Sequence, residues 1–244
     1  MAYTESELVQ LVAAKIDEIL PPGENVPSGA LIEAPIPYIE KELKESGYHI
    51  LRQAPVTQVK QVLKKATTHF PAGSTDPATP SPNPSVRIVA SDTIGAYLVP
   101  CPTDFLRFIN IRLSTWALPV SELIPEEDPK YREQKSIKWT RGTELKPKAA
   151  LVSFSDYVAG EINAGFPNLG LAVECFSSKT LPTLSAFHYV PKVTPTSMPE
   201  DLVDAMVWEC AGRTLLIMKQ AERAAIAFQQ VQRYFSNKYG LIGE

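Results

Sequence analysis

Hydrophobic residues change their spacing twice along the chain, and the two changes divide it into three regions. In the first region, apolar residues recur at helical intervals. Thr4 and Glu7 have the spacing of a capping box ahead of the stripe Leu8, Val12, Ile16 and Ile19. Pro21, Pro22 and Gly23 then end that helix. Pro37 suits the first position of a second helix carrying Tyr38, Ile39 and Leu43, with Gly47 as its expected stop. Pro55 opens a third, with Val56, Val59 and Leu63 on one face. The segment "PAGSTDPATPSPNPS", Pro71 to Ser85, has no hydrophobic period and reads as a proline-stiffened boundary or exposed loop.

From Val86 to Val190 the period becomes two. "VRIVAS" sets Val86, Ile88 and Ala90 against Arg87, Val89 and Ser91, and "FINIRLS" sets Ile109, Ile111 and Leu113 against Asn110, Arg112 and Ser114. "LAVECFS" puts Leu171, Val173 and Cys175 on one face; "LSAFHYV" puts Leu184, Ala186, His188 and Val190 opposite Phe187 and Tyr189. Short alternating runs between Pro and Gly turns predict an antiparallel sandwich or small barrel, with "EEDPKYREQ" forming one short helical turn.

The helical period returns after "PKVTPTSMPED". Ser197 is an expected cap, and Glu200 and Asp201 complement the dipole of the helix that follows. A last helix carries Ala221, Ala224, Phe228, Val231 and Phe235. The fold class is therefore α+β: a terminal helical bundle (residues 1–70 and 193–244) with an inserted β-domain (86–192) reached through the loop at 71–85. In "LVDAMVWECAGRTLLIMKQ", Val203, Met206, Val207, Cys210, Thr214 and Ile217 form one stripe, while Trp208, Ala211, Leu215 and Leu216 make a second apolar side. A helix at a chain's edge should have a polar back. Burial on two sides is expected here, by a second subunit or by the protein's own segments.

Composition narrows the class. The 244 residues carry a net charge of −3, with 44% hydrophobic and 21% charged, which fits a globular chain rather than a disordered one or a dedicated basic nucleic-acid binder. Cys101, Cys175 and Cys210 lack redox or zinc spacing and read as reduced, buried thiols. The opening "MAYTESELVQ" has no secretory pattern, and charges interrupt every long apolar run, so neither a signal nor a membrane span is expected.

No catalytic constellation stands out. His49, His69 and His188 lack metal-type spacing, and neither GxSxG nor a phosphate-binding glycine loop occurs. Gly160, Gly165 and Gly170 read as turns, and "PEEDP" as solvated carboxylates. No cofactor or metal site is expected. One charged stretch, Asp128 to Lys148, carries Lys130, Arg132, Lys135, Lys138, Arg141, Lys146 and Lys148 with Trp139, against Asp128, Glu133 and Glu144. Such a loop either grips an acidic surface or phosphate backbone, or is a solvated connection.

Several pieces have a familiar cast. "YLVPCPTDFLRFINIRLSTWALPVSELIPEEDPKYREQ", "TRGTELKPKAALV" and "MPEDLVDAMVWECAGRTLLIMKQAERAAIAFQQVQRYF" resemble the head–tail adaptor, or ring, proteins of short-tailed phages, of the tail tubular protein A type, and most of all the ring proteins of crAss-like phages. The likeness spans about residues 86–240, together with the helix–strand–helix order of the whole chain; the N-terminal sequence and Pro71–Ser85 fall outside it. It implies a non-enzymatic virion protein, assembled in a bacterial cytoplasm, commonly in twelve-fold rings below the portal. Partners implied are further copies of itself, the portal protein, other tail ring or hub proteins, and double-stranded DNA passing without sequence-specific binding; no membrane is involved.

On that basis the expected interface residues are Trp208, Ala211, Leu215 and Leu216, the tail residues Tyr239, Leu241 and Ile242, and Lys130, Arg132, Lys135, Lys138, Trp139 and Arg141. Two other classes are open: a β-sandwich module recognising a peptide or glycan through exposed aromatics, and an enzyme using Glu209, Cys210 and His188.

Overall fold

A computed structural model describes residues 3–19, 36–68, 85–137 except 87, 92 and 94, 140–153, 171–176 and 182–239. The chain is α+β and forms two compact units: Met1–Val62 with Lys192–Glu244, and Leu63–Pro191.

The helical unit takes helices from both ends of the chain. Helix α1 (Glu5–Ile19) opens on the expected capping box, with the Glu7 N–H donating to Thr4 Oγ1 at 3.2 Å and the Thr4 N–H donating to Glu7 Oε2 at 2.7 Å. Its stripe Leu8, Val12 and Ile16 is buried. Helix α2 (Ile36–Gln53) does not stop at Gly47. That glycine answers to packing: a Cβ there would stand 3.0 Å from Met198 Cε and 3.3 Å from Met206 Sδ. Helix α3 (Val56–Val59) is a single turn after Pro55, and Leu63 already belongs to the other unit.

Helix α5 (Glu200–Ile217) starts at Pro199 rather than being capped by Ser197, which lies in the preceding 3-10 turn Pro195–Ser197. Glu200 and Asp201 sit in its first turn, where the dipole favours them. It ends with Lys219 at φ 60°, the Gln220 N–H donating to Leu215 O at 2.8 Å and the Lys219 N–H to Leu216 O at 2.9 Å, a Schellman closure made without glycine. Helix α6 (Ala221–Tyr239) then returns along α5, burying Ala224, Ala227 and Val231.

In the second unit, β1 (Lys64–Lys65), β10 (Leu184–Pro191) and β6 (Phe105–Leu113) form an antiparallel sheet in the order β1-β10-β6. A five-stranded sheet runs β4 (Val89–Ala90), β5 (Ala96–Pro100), β9 (Leu171–Phe176), β8 (Lys148–Ser153), β7 (Ile124–Pro125). It is mixed rather than purely antiparallel, because β7 and β8 pair in parallel. A short parallel pair, β2 (Thr67–Thr68) with β3 (Ser85–Val86), completes the strands among the described residues.

Side chains from both larger sheets share one core: Ile111, Leu113, Phe187 and Tyr189 from the first, Val99, Ala149, Val173 and Cys175 from the second. The sandwich expectation is met. Strand β9 is buried on both faces, however, since Ala172 and Phe176 join a second core beneath helix α4 (Pro129–Ser136), entered through Tyr131. Helix α4 runs two turns rather than one, capped by the Asp128 carboxylate accepting from the Lys130 N–H at 2.8 Å. Bulges along β10 also change its faces: Leu184 packs toward the core with Phe187 instead of sharing the side of His188.

Candidate functional site

The second apolar side of α5 is covered by the protein's own bundle. Ala211 and Leu215 are fully buried, so they are corrected from interface to core residues. The physical cause is that α5 is central: α1, α2 and α6 all pack on it. Trp208 is half-buried, with Lys15 Nζ 4.8 Å above its ring. Leu216 is different, at 49% exposed, and Ile217, 41% exposed, leaves the stripe the sequence assigned to it. The side chain of Tyr239, and Leu241 and Ile242 altogether, lie outside the described residues.

Helix α5 contributes a polar clasp that sequence spacing reveals in part. Glu209 and Arg213 are one turn apart, and Arg213 Nε donates to Glu209 Oε1 at 2.9 Å. The carboxylate is 3% exposed, though, and also meets His49 Nδ1 at 2.8 Å from α2. Arg213 reaches on to Glu42 at 3.7 Å. The buried Glu209 carboxylate thus sits at the junction of α2 and α5, where loss of Arg213 would remove its charged partner. His49 lies 160 residues before Glu209, so no local pattern could announce the contact. His49, Glu209 and Arg213 border, with Gln53, Leu216 and Phe228, a cleft of about 480 Å³.

The clasp lacks a competent nucleophile. Cys210 turns away from it, its thiol contacting Ile39 O at 3.7 Å, and burial pushes the thiol pKa up to about 12. Cys101 is likewise raised to about 12 by burial, and Cys175 well above its usual value. His188 belongs to the β unit, where its Nδ1 lies 2.9 Å from Asn110 Oδ1. No cluster of potential metal ligands occurs among the described residues, and none of their helices is long and apolar enough to cross a membrane.

Much of the basic stretch turns out to be structural. Arg141 Nε donates to Gln134 O at 2.8 Å and its Nη2 to Lys135 O at 2.9 Å, satisfying carbonyls at the end of α4. Lys135 lies 5.0 Å over the Tyr131 ring and 3.9 Å from the buried Glu174 carboxylate. Lys148 Nζ donates to Thr140 O at 3.0 Å. Arg141 and Lys135 are thus corrected from partner contacts to supports of α4, whereas Lys130 and Arg132 are exposed. Lys138 and Trp139 lie outside the described residues.

A second cationic surface went unnoticed in the sequence because it comes from three distant strands. Lys65, His188 and Asn110 stand abreast across β1, β10 and β6, with Arg112 two residues further along β6. The aromatics of the same sheet, Phe105, Phe108, Phe187 and Tyr189, pack with the core on its other side. Comparison with protein-family models and with curated proteins finds no match for the chain.

Proposed function

We propose that the protein is a virion structural protein, a subunit of a head–tail adaptor ring below the portal that extends the DNA channel and offers a platform to tail components. The sequence pieces that resemble phage ring proteins motivate this reading. The observation that carries it is the organisation of the chain: helices from both ends close one bundle, and a β unit is inserted between them. That helix–strand–helix order is part of the likeness to phage ring proteins and supports the reading. A ring needs two different faces per subunit. Leu216 and Ile217 on the bundle, and Lys130 and Arg132 on the β unit, are exposed groups available for such contacts.

The test is native mass measurement and low-resolution imaging of the full chain mixed with a portal protein. Closed rings seated on the portal are expected. A protein that stays monomeric and binds no portal at any concentration overturns the reading.

A further inference from the structure

The strands of the three-stranded sheet hold Lys64, Lys65, Arg107 and Arg112 and no carboxylate, in a chain whose net charge is −3. Lys64 is neutralised locally, its Nζ donating to Asp104 at 2.6 Å while Tyr189 OH donates to the other oxygen at 2.8 Å. Lys65 and Arg112 lie on the face opposite the sandwich core. Lys65 is exposed and registers with His188; His188 registers with Asn110. Burial foremost, and then the neighbouring Lys65, lowers the His188 pKa. Arg112 is exposed and held in place by its Nε donating to Trp116 O at 3.2 Å. With strands about 4.8 Å apart and a rise of about 3.4 Å per residue, the Lys65 and Arg112 backbones are roughly 12 Å apart.

We infer that this outer face of the β1-β10-β6 sheet is a contact surface for the phosphate backbone of duplex DNA. Charge complementarity selects a polyanion. The sheet's four aromatics pack into the core, so the face offers neither the buried aromatic anchors of a protein interface nor stacking platforms for single strands. Cations on a rigid sheet, with amide and imidazole groups between them, suit weak, sequence-independent contact with a passing duplex. The inference rests on the adaptor reading only for the setting in which DNA is met.

The test uses the full chain and a labelled random-sequence duplex, followed by fluorescence anisotropy from low to moderate salt. Weak binding at low salt is expected, with log affinity falling against log salt at a slope of about 2 for the two phosphates neutralised. K65E/R112E should weaken it by tenfold or more, K65Q/R112Q by less, and K41E/K44E, at exposed positions of α2, by under twofold. Circular dichroism shows whether each variant is folded. No duplex binding by the parent chain, or unchanged binding by a folded K65E/R112E, overturns the inference. So does a double variant that binds duplex normally but no longer binds an acidic portal protein, which would make the face a protein interface. Ring assembly is read separately: a parent that binds duplex through these residues but never forms rings leaves this inference standing and removes the adaptor reading.

Discussion

Phe228 lies so close to Gly212 that a methyl group at Gly212 would meet its ring at 2.7 Å. The absence of a side chain at this position lets α6 close on α5. Gly212→Ala should therefore destabilise the bundle by about 1–3 kcal/mol, the usual cost of overpacking, despite alanine's better helix propensity. Adding Phe228→Leu should recover part of the loss. Urea midpoints of the single and double variants decide this; a stabilising Gly212→Ala would show that the ring yields freely.

Leu215 and Leu216 are neighbours with opposite fates, one fully buried and the other 49% exposed. Leu215→Ala should cost about 2–5 kcal/mol of monomer stability, as for a buried leucine. Leu216→Ala should stay within about 0.5 kcal/mol yet weaken any assembly that uses the bundle surface. Trp208→Ala, half-buried beneath Lys15, should lower stability by roughly 1–3 kcal/mol. Chemical denaturation read beside sedimentation separates folding from association.

Tyr131 OH donates to Glu174 Oε2 at 2.8 Å, and Ser91 Oγ donates to Glu174 Oε1 at 2.5 Å. Burial, foremost, raises the tyrosine pKa. Tyr131→Phe leaves a buried carboxylate short of a donor and should cost about 1–3 kcal/mol. The denaturation slope should remain unchanged, since the packed ring is retained. A neutral result would mean that Ser91 and Lys135 satisfy Glu174 without it.

His188 has its pKa lowered from 6.5, mainly by burial and then by Lys65. The unfolded chain therefore takes up this proton at higher pH than the folded one. Stability contributed by the neutral ring is present above pH 6.5 and is lost as pH falls below it. The β unit should melt earlier at pH 5 than at pH 7, and His188→Gln should flatten that part of the profile. An unchanged profile in the variant would assign the acid sensitivity to other groups.

Cys210 is buried and its thiol pKa is pushed up to about 12, chiefly by desolvation. Labelling by a thiol reagent in the native state should be slow and should track unfolding of the helical unit. Rapid labelling under native conditions would reopen a reactive role for this cysteine.

The helix–strand–helix order, the capping box of α1 and the first-turn acids of α5 were legible in the sequence because each rests on neighbours within a turn or two. Period-two alternation located β6 and β10, and Thr4 with Glu7 needed no distant residue. Gly47 misled because a glycine can mark a helix stop or a close approach, and its meaning here depends on Met198 and Met206, over 150 residues away. Arg141 and Lys135 looked like free charge because sequence does not display the carbonyls of α4 or the buried Glu174 that they serve.

The sequence by itself determined the helix–strand–helix order, the positions of β6, β9 and β10, and that α5 must be buried on two sides, since apolar residues around a helix exclude water wherever they are placed. Only the tertiary structure decided what covers them. Burial of Leu215 and Ala211 by α5's own neighbours, the Glu209–His49 contact and the row Lys65–His188–Asn110 all join residues from separate elements. Their energies depend on distance in space, which a linear pattern does not encode.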